Sequence, residues 1–208
     1  MFKWKNKNDF KYLEIEKFRK NGCNAYFTSR NGGISKGSYK SLNLGLHTND
    51  RKESVIKNRK ITAKNLNLNL SSFTSAEQIH GDRVYVVEKK DRGKGSINYS
   101  NSIKETDAII TNANDITLFS YYADCVPLYF YDKENRIIGL AHSGWKGTLK
   151  RIGLNVLKKM KDEFNSKISD CLVAIGPAIS RDFYEVDNKL VNKFRNNFSN
   201  INDYLFYK

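Results

Sequence analysis

The segment Ile137-Ile138-Gly139-Leu140-Ala141-His142-Ser143-Gly144-Trp145-Lys146-Gly147 changes period in its middle, and that change sets the fold class. Its first five residues form a short apolar run, the pattern of a buried strand rather than a helix. His142 closes the run, and a glycine-punctuated turn follows. Beyond it Leu149, Ile152, Val156, Met160 and Phe164 recur at helical spacing, which predicts a helix from about Thr148 to Phe164 with one apolar stripe. Upstream, Leu128–Tyr131 and Ile116–Tyr122 read as strands separated by Ala123-Asp124-Cys125-Val126-Pro127. Further strands are predicted at 83–89, 107–111 and 171–175, and helices at 50–66 and 187–198. Residues 1–24 give a weak strand or helix signal, 28–49 and 90–105 are polar loop, and the last ten residues carry no clear pattern. Strands and helices mix without strict alternation, so the expected class is a mixed-sheet α/β or α+β fold. With no repeat and no Pro/Gly/Ser linker, 1–208 is read as a single domain.

The composition narrows the function classes. Hydrophobic residues make up 39%, enough to bury a core, which excludes a disordered tail. The net charge of +14 raises the question of polyanion partners, but the charges are scattered and no block of five or six like charges occurs. A solvated surface that also draws small anions is the expectation, and a nucleic-acid groove is not. Three widely spaced cysteines, Cys23, Cys125 and Cys171, do not form a disulfide framework. No apolar run approaches the ~18 residues of a membrane span, and the N-terminus lacks the pattern of a secretory signal. The expected setting is soluble, reduced and cytoplasmic.

Three residues stand where chemistry could be done. His80 precedes a strand, Cys125 lies between two strands, and His142 ends one, so all three fall at strand edges that can converge on a pocket. Two imidazoles and a thiolate suit zinc and leave a fourth position open; the same donors would also hold copper. The intervals between them are long, and no short metal motif is present. Spacing alone leaves three readings open: a metal site, a thiol hydrolase with Cys125 as nucleophile, His142 as base and Asp124 orienting it, and buried structural roles. The turn at Gly144, Trp145 and Lys146 opens a helix, so its amides and the Lys146 charge could cradle an anion. Arg30 and Arg59 could grip a phosphate in a fork.

Taken together, nine motifs resemble, in order, those of the laccase-domain family, also called polyphenol oxidase-like or purine nucleoside phosphorylase-type proteins. They are Thr28-Ser29-Arg30-Asn31-Gly32-Gly33, Ser41-Leu42-Asn43-Leu44-Gly45, Asn58-Arg59, Gln78-Ile79-His80-Gly81, Thr106-Asp107-Ala108, Ala123-Asp124-Cys125-Val126-Pro127, Ala141 through Gly147, Ile175-Gly176-Pro177 and Tyr184-Glu185-Val186. The resemblance implies a layered α/β/β/α sandwich with mixed sheets, related to toxin-type cysteine hydrolases. It implies His80, Cys125 and His142 as ligands of zinc, with copper the alternative. It marks Arg30, Asn43, Arg59, Gln78, Gly144, Trp145 and Lys146 as substrate- or phosphate-contacting positions, and Asp124, Cys125 and His142 as catalytic. The implied activity is phosphorolysis of adenosine, inosine and methylthioadenosine to base and sugar 1-phosphate, with adenosine deamination at the same site and phenol oxidation as an older label. It also implies a further C-terminal segment that this chain is expected to lack, and hence an open sheet edge that favours self-association.

Overall fold

The computed structural model describes residues 2–205. In chain order the elements are β1 (Phe2–Lys7), β2 (Phe10–Ile15), α1 (Glu16–Lys20), β3 (Tyr26–Thr28), α2 (Lys52–Leu66), β4 (Phe73–Ser75), β5 (Val84–Val86) and β6 (Ala108–Thr111). They continue with β7 (Thr117–Phe119), β8 (Val126–Asp132), β9 (Ile137–Ser143), α3 (Trp145–Leu149), α4 (Ile152–Phe164), β10 (Cys171–Ile175) and α5 (Asn188–Arg195). Residues 2–15, ambiguous in sequence, are a hairpin, because Phe10, Tyr12, Leu13 and Ile15 all find buried positions on its second strand.

The main sheet has five strands in the order β10-β8-β9-β6-β5, antiparallel except for the β5–β6 pair. Side chains alternate across it. Phe130, Ile137, Ala141, Ala108 and Ile110 face one side and meet Ile152, Val156 and Met160 of α4. Tyr129, Tyr131, Ile138 and Leu140 face the other and meet Ile15, Phe18 and Ala25 beside the three-stranded sheet β1-β2-β3. The far face of that smaller sheet, through Phe10 and Tyr12, packs on Ile61 and Leu66 of α2. The layers therefore run α4, large sheet, small sheet, α2: an α/β/β/α sandwich with mixed sheets.

The helix expected from Thr148 to Phe164 is two helices. α3 starts earlier, at Trp145, and ends before Arg151, whose positive φ of 59° breaks the hydrogen-bond ladder and re-aims α4 onto the sheet. The apolar stripe begins its full burial at Ile152. The polar stretch 28–49 is ordered without regular strands. Buried Asn58, on α2, accepts the Ile34 amide and donates to Ser35 Oγ, Ser41 O and Asn43 O, so a helix side chain replaces the missing ladder. No described helix is long and apolar enough to cross a membrane.

Candidate metal centre

The site is assembled by strand register. β6 and β9 pair with Ala108 opposite Ala141, which sets Asp107 across from His142; the His142 amide donates to Asp107 O at 2.7 Å. β8 and β9 pair with Val126 opposite Ser143, which sets Cys125 across from Gly144. His80 comes from the loop before β5 and has a left-handed backbone, φ 61°. That conformation is costly for a non-glycine residue and persists where neighbours impose it. The imposing group is the Asp107 carboxylate. Its Oδ1 accepts the His80 amide at 2.9 Å, and its Oδ2 accepts the amides of Gly81 at 2.7 Å and Ile79 at 3.1 Å.

The ligand atoms of His80, Cys125 and His142 lie within 4.8 Å of one another, a spacing at which one ion could be shared. His142 is buried, Cys125 half-buried and His80 exposed, so the group opens outward. Asp107 Oδ1 also lies 2.9 Å from His142 Nδ1. Burial alone would raise the Asp107 carboxyl, but the bonds from His142, Gly81 and Ile79 outweigh it and hold it below the usual range. An ionised carboxylate only accepts, so His142 carries its proton on Nδ1 and turns Nε2 to the cluster. Gly144 leaves the room: a Cβ there would stand 2.9 Å from His80 Cδ2 and 3.1 Å from Cys125 Sγ. Two imidazole nitrogens, one thiol sulfur, a carboxylate behind one imidazole and an open face fit a three-ligand transition-metal site.

The thiol argues for ligation over nucleophilic attack. Burial first, then the charges of Asp124 and Asp107, push the Cys125 pKa up. An activated catalytic cysteine is pushed the other way by an imidazolium or a helix N-terminus. A metal cation would reverse the effect by binding the thiolate.

Beside the cluster lies a cavity of about 1190 Å³, whose lining includes Arg30, Asn43, Gln78, Asp124 and the three clustered residues. It extends between the sheets to Phe18 and Tyr131 and is ample for a drug-sized ligand. The predicted contact residues fare unequally there. Exposed Arg30 donates from Nε and Nη2 to Lys40 O, and its Nη1 has no hydrogen-bond partner among the described residues. Asp124 is exposed next to Cys125, with its carbonyl accepting the Ile179 amide. Gln78 spends its amide on the segment facing it: Nε2 donates to Tyr121 O, and Oε1 accepts the Tyr121 amide and Ser120 Oγ. Asn43 organises its own loop, donating to Thr48 Oγ1 and Asp50 Oδ2 and accepting the Gly45 amide.

Two expectations are corrected. Arg59 does not grip phosphate. It is 0% exposed, and its five N–H groups go to Leu44 O (twice), Gly95 O, Ser96 O and Tyr121 Oη. Trp145 and Lys146 are not among the residues that line the cavity: the exposed Lys146 ammonium folds 5.5 Å over the Trp145 ring, and Lys193 of α5 approaches the same ring at 5.0 Å. α3 is five residues long, too short to add much dipole to the turn.

The sequence reading missed Asp107 as a site residue, although a carboxylate at the head of a strand buried throughout demands partners. It also passed over His47, Tyr99, Tyr121 and Tyr122. The Tyr122 ring lies 5.7 Å from that of His142, and its hydroxyl donates to Ala141 O.

Comparison with known proteins gives concordant results. Residues 24–207 match a family model described as multi-copper polyphenol oxidoreductase laccase. The chain is 43% identical over 171 residues to purine nucleoside phosphorylase YlmD of Bacillus subtilis, covering 82% of this chain and 62% of that protein. It is 37% identical to the protein of the same name from Geobacillus stearothermophilus, over 84% of this chain and 64% of that one. The chain thus spans about three fifths of the length of these curated relatives. A crystal structure of a Bacillus licheniformis hypothetical protein, YfiH, superposes with a TM-score of 0.87 at 36% identity, covering 93% of this chain and 71% of that one. The crystal structure of Geobacillus stearothermophilus YlmD gives the same TM-score of 0.87 at 34% identity, with the same coverage of 93% and 71%.

Proposed function

The chain belongs to the multi-copper polyphenol oxidoreductase laccase family, and from that membership we propose that it is a metalloenzyme cleaving purine nucleosides by phosphorolysis at His80, Cys125 and His142. The observation that carries the reading is the convergence of two imidazoles and a thiol on the wall of a large cavity. The names of the relatives supply the substrate class. Adenosine, inosine and methylthioadenosine are the proposed nucleosides, with adenosine deamination a second outcome at the same cluster.

Zinc is the proposed ion, since a closed-shell cation accepts tetrahedral nitrogen and sulfur donors without redox chemistry. When bound, it would supply Lewis-acid polarisation at the open fourth position. The chain's own residues do the rest. Asp107 fixes the tautomer and angle of His142 and the backbone of His80. Arg30, an exposed cation in the cavity lining whose Nη1 has no partner among the described residues, holds phosphate near the sugar. Asp124 stands beside Cys125 at the rim, where a carboxylate can exchange a proton with the departing base. A copper phenol oxidase built on several ions finds less support: among the described residues one three-ligand cluster occurs, and His47 lies outside it.

The test is phosphate dependence. Purified protein with zinc should release hypoxanthine and ribose 1-phosphate from inosine in proportion to phosphate. Persistence of full-rate turnover in His80→Ala and Cys125→Ala proteins would end the proposal.

A further inference from the structure

The third histidine takes no part in the cluster. His47 sits in the 43–50 loop with its ring 5.7 Å from that of Tyr99 and 5.4 Å from that of Tyr121. Neither tyrosine lies parallel to it, at 44° and 62°, so neither is stacked face to face on the imidazole. Among the described residues neither ring nitrogen has a hydrogen-bond partner. All three rings line the cavity that His80, Cys125 and His142 also line.

This aromatic corner is built firmly. The Tyr121 hydroxyl donates to Ser75 Oγ at 3.0 Å and accepts from Arg59 Nη2 at 2.6 Å. The Arg59 guanidinium lies 5.0 Å from the Tyr121 ring centroid, and Gln78 grips the Tyr121 main chain on both its amide and carbonyl. The loop beneath His47 is tied by Asn43 to Thr48 and Asp50. A Cβ at Gly45 would come to 3.0 Å from His47 Cε1, so a side chain there would push on the ring. Burial, then the nearby Arg59 charge, lower the His47 pKa, which favours the uncharged ring that a stacked base would meet.

We propose that His47, with Tyr99 and Tyr121, seats the purine ring, with the base stacked on the imidazole face. The inference rests on the nucleoside reading above, and it adds the residues that distinguish a heteroaromatic base from any other group attached to the sugar. Stacking of a base on an aromatic side chain is worth roughly 1–3 kcal/mol, and a tenfold change in binding lies toward the lower end of that range.

With three histidines in the chain, ¹³C-histidine NMR of the zinc-loaded protein resolves the matter. Hypoxanthine should move the His47 resonance, assigned from the His47→Phe protein, and ribose should not. In turnover of inosine, His47→Ala should raise KM roughly tenfold while kcat and zinc content stay near those of the parent, and His47→Phe should recover most of the loss through stacking. Hypoxanthine that moves His80 and His142 but leaves His47 in place would overturn the seat, as would an unchanged KM in His47→Ala. If the parent protein shows no phosphate-dependent turnover but hypoxanthine still moves His47, phosphorolysis falls and the seat stands. If turnover proceeds and His47 does not respond, the seat falls and phosphorolysis stands.

Discussion

Asp107 Oδ1 lies 2.9 Å from His142 Nδ1, and the same carboxylate accepts the amides of Ile79, His80 and Gly81. One side chain thus aims one ligand and shapes the loop that presents another. Asp107→Ala should lower metal affinity about 10- to 100-fold. It should also destabilise the fold by about 3 kcal/mol or more, since buried amides and an imidazole N–H lose their acceptor. Asp107→Asn, which keeps the shape but loses the charge, should fall between. Cobalt absorption spectra and urea unfolding measure the two effects; an Asp107→Ala protein with parental cobalt affinity would show that the carboxylate does not position the ligands.

Gly144 faces Cys125 across the β8–β9 pair and touches His80 where any side chain would begin. Its φ of −75° suits any residue, so Gly144→Ala is a steric test without backbone strain. The folded protein should persist with metal binding weakened roughly tenfold or more. Circular dichroism and metal content of dialysed protein decide it.

Arg59 has no donor left for a ligand. Arg59→Ala should cost about 3–5 kcal/mol, because four acceptors and a cavity are left behind. Arg59→Lys should recover little, since an ammonium cannot span the same carbonyls. Unfolding curves give the cost. A stable Arg59→Lys protein with a raised KM for phosphate would contradict this assignment.

Cys125 should be slow to alkylate at neutral pH in metal-free protein. Burial and the charges of Asp124 and Asp107 lift its pKa above the ordinary 9.0, so the iodoacetamide rate should still be climbing beyond pH 9. The Cys23→Ser, Cys171→Ser background isolates the signal. Rapid alkylation below pH 7 would revive the thiol hydrolase reading.

Asp91 supplies a pH test remote from the metal ligands. Burial alone would raise its carboxyl, but the bonds from Lys94, the Glu88 amide and Tyr85 hold it below the usual range. A carboxyl depressed on folding stabilises above its unfolded pKa of about 3.9, and the gain is lost as pH falls through the lower folded value. Asp91→Asn should therefore lose stability at pH 7 and show a shallower decline toward pH 3 in thermal unfolding.

Local periodicity made most of the architecture legible. The strand ending at His142, the buried strands beside it and the apolar stripe of α4 all obey it. It could not show that β5 runs parallel to β6, because pairing partners are a long-range choice. The short hairpin and the α3–α4 break hung on tertiary contacts and on one left-handed residue, Arg151. The three residues that cluster could be singled out from their strand-edge settings and motifs. Asp107 could not be, because its role appears only when β6 is laid against β9. Arg59 was misjudged because nothing local distinguishes a solvated arginine from one that staples three loops.

The register that sets Cys125 opposite Gly144 and Asp107 opposite His142 has a last consequence. A one-residue slip of β8 or β6 against β9 would turn these side chains to the opposite face. A misaligned chain could still be compact, yet it could not gather the donors. On the proposed metal reading, stoichiometric, tightly held metal would be a readout of strand alignment, and metal content across preparations would grade folding quality before any substrate is tried.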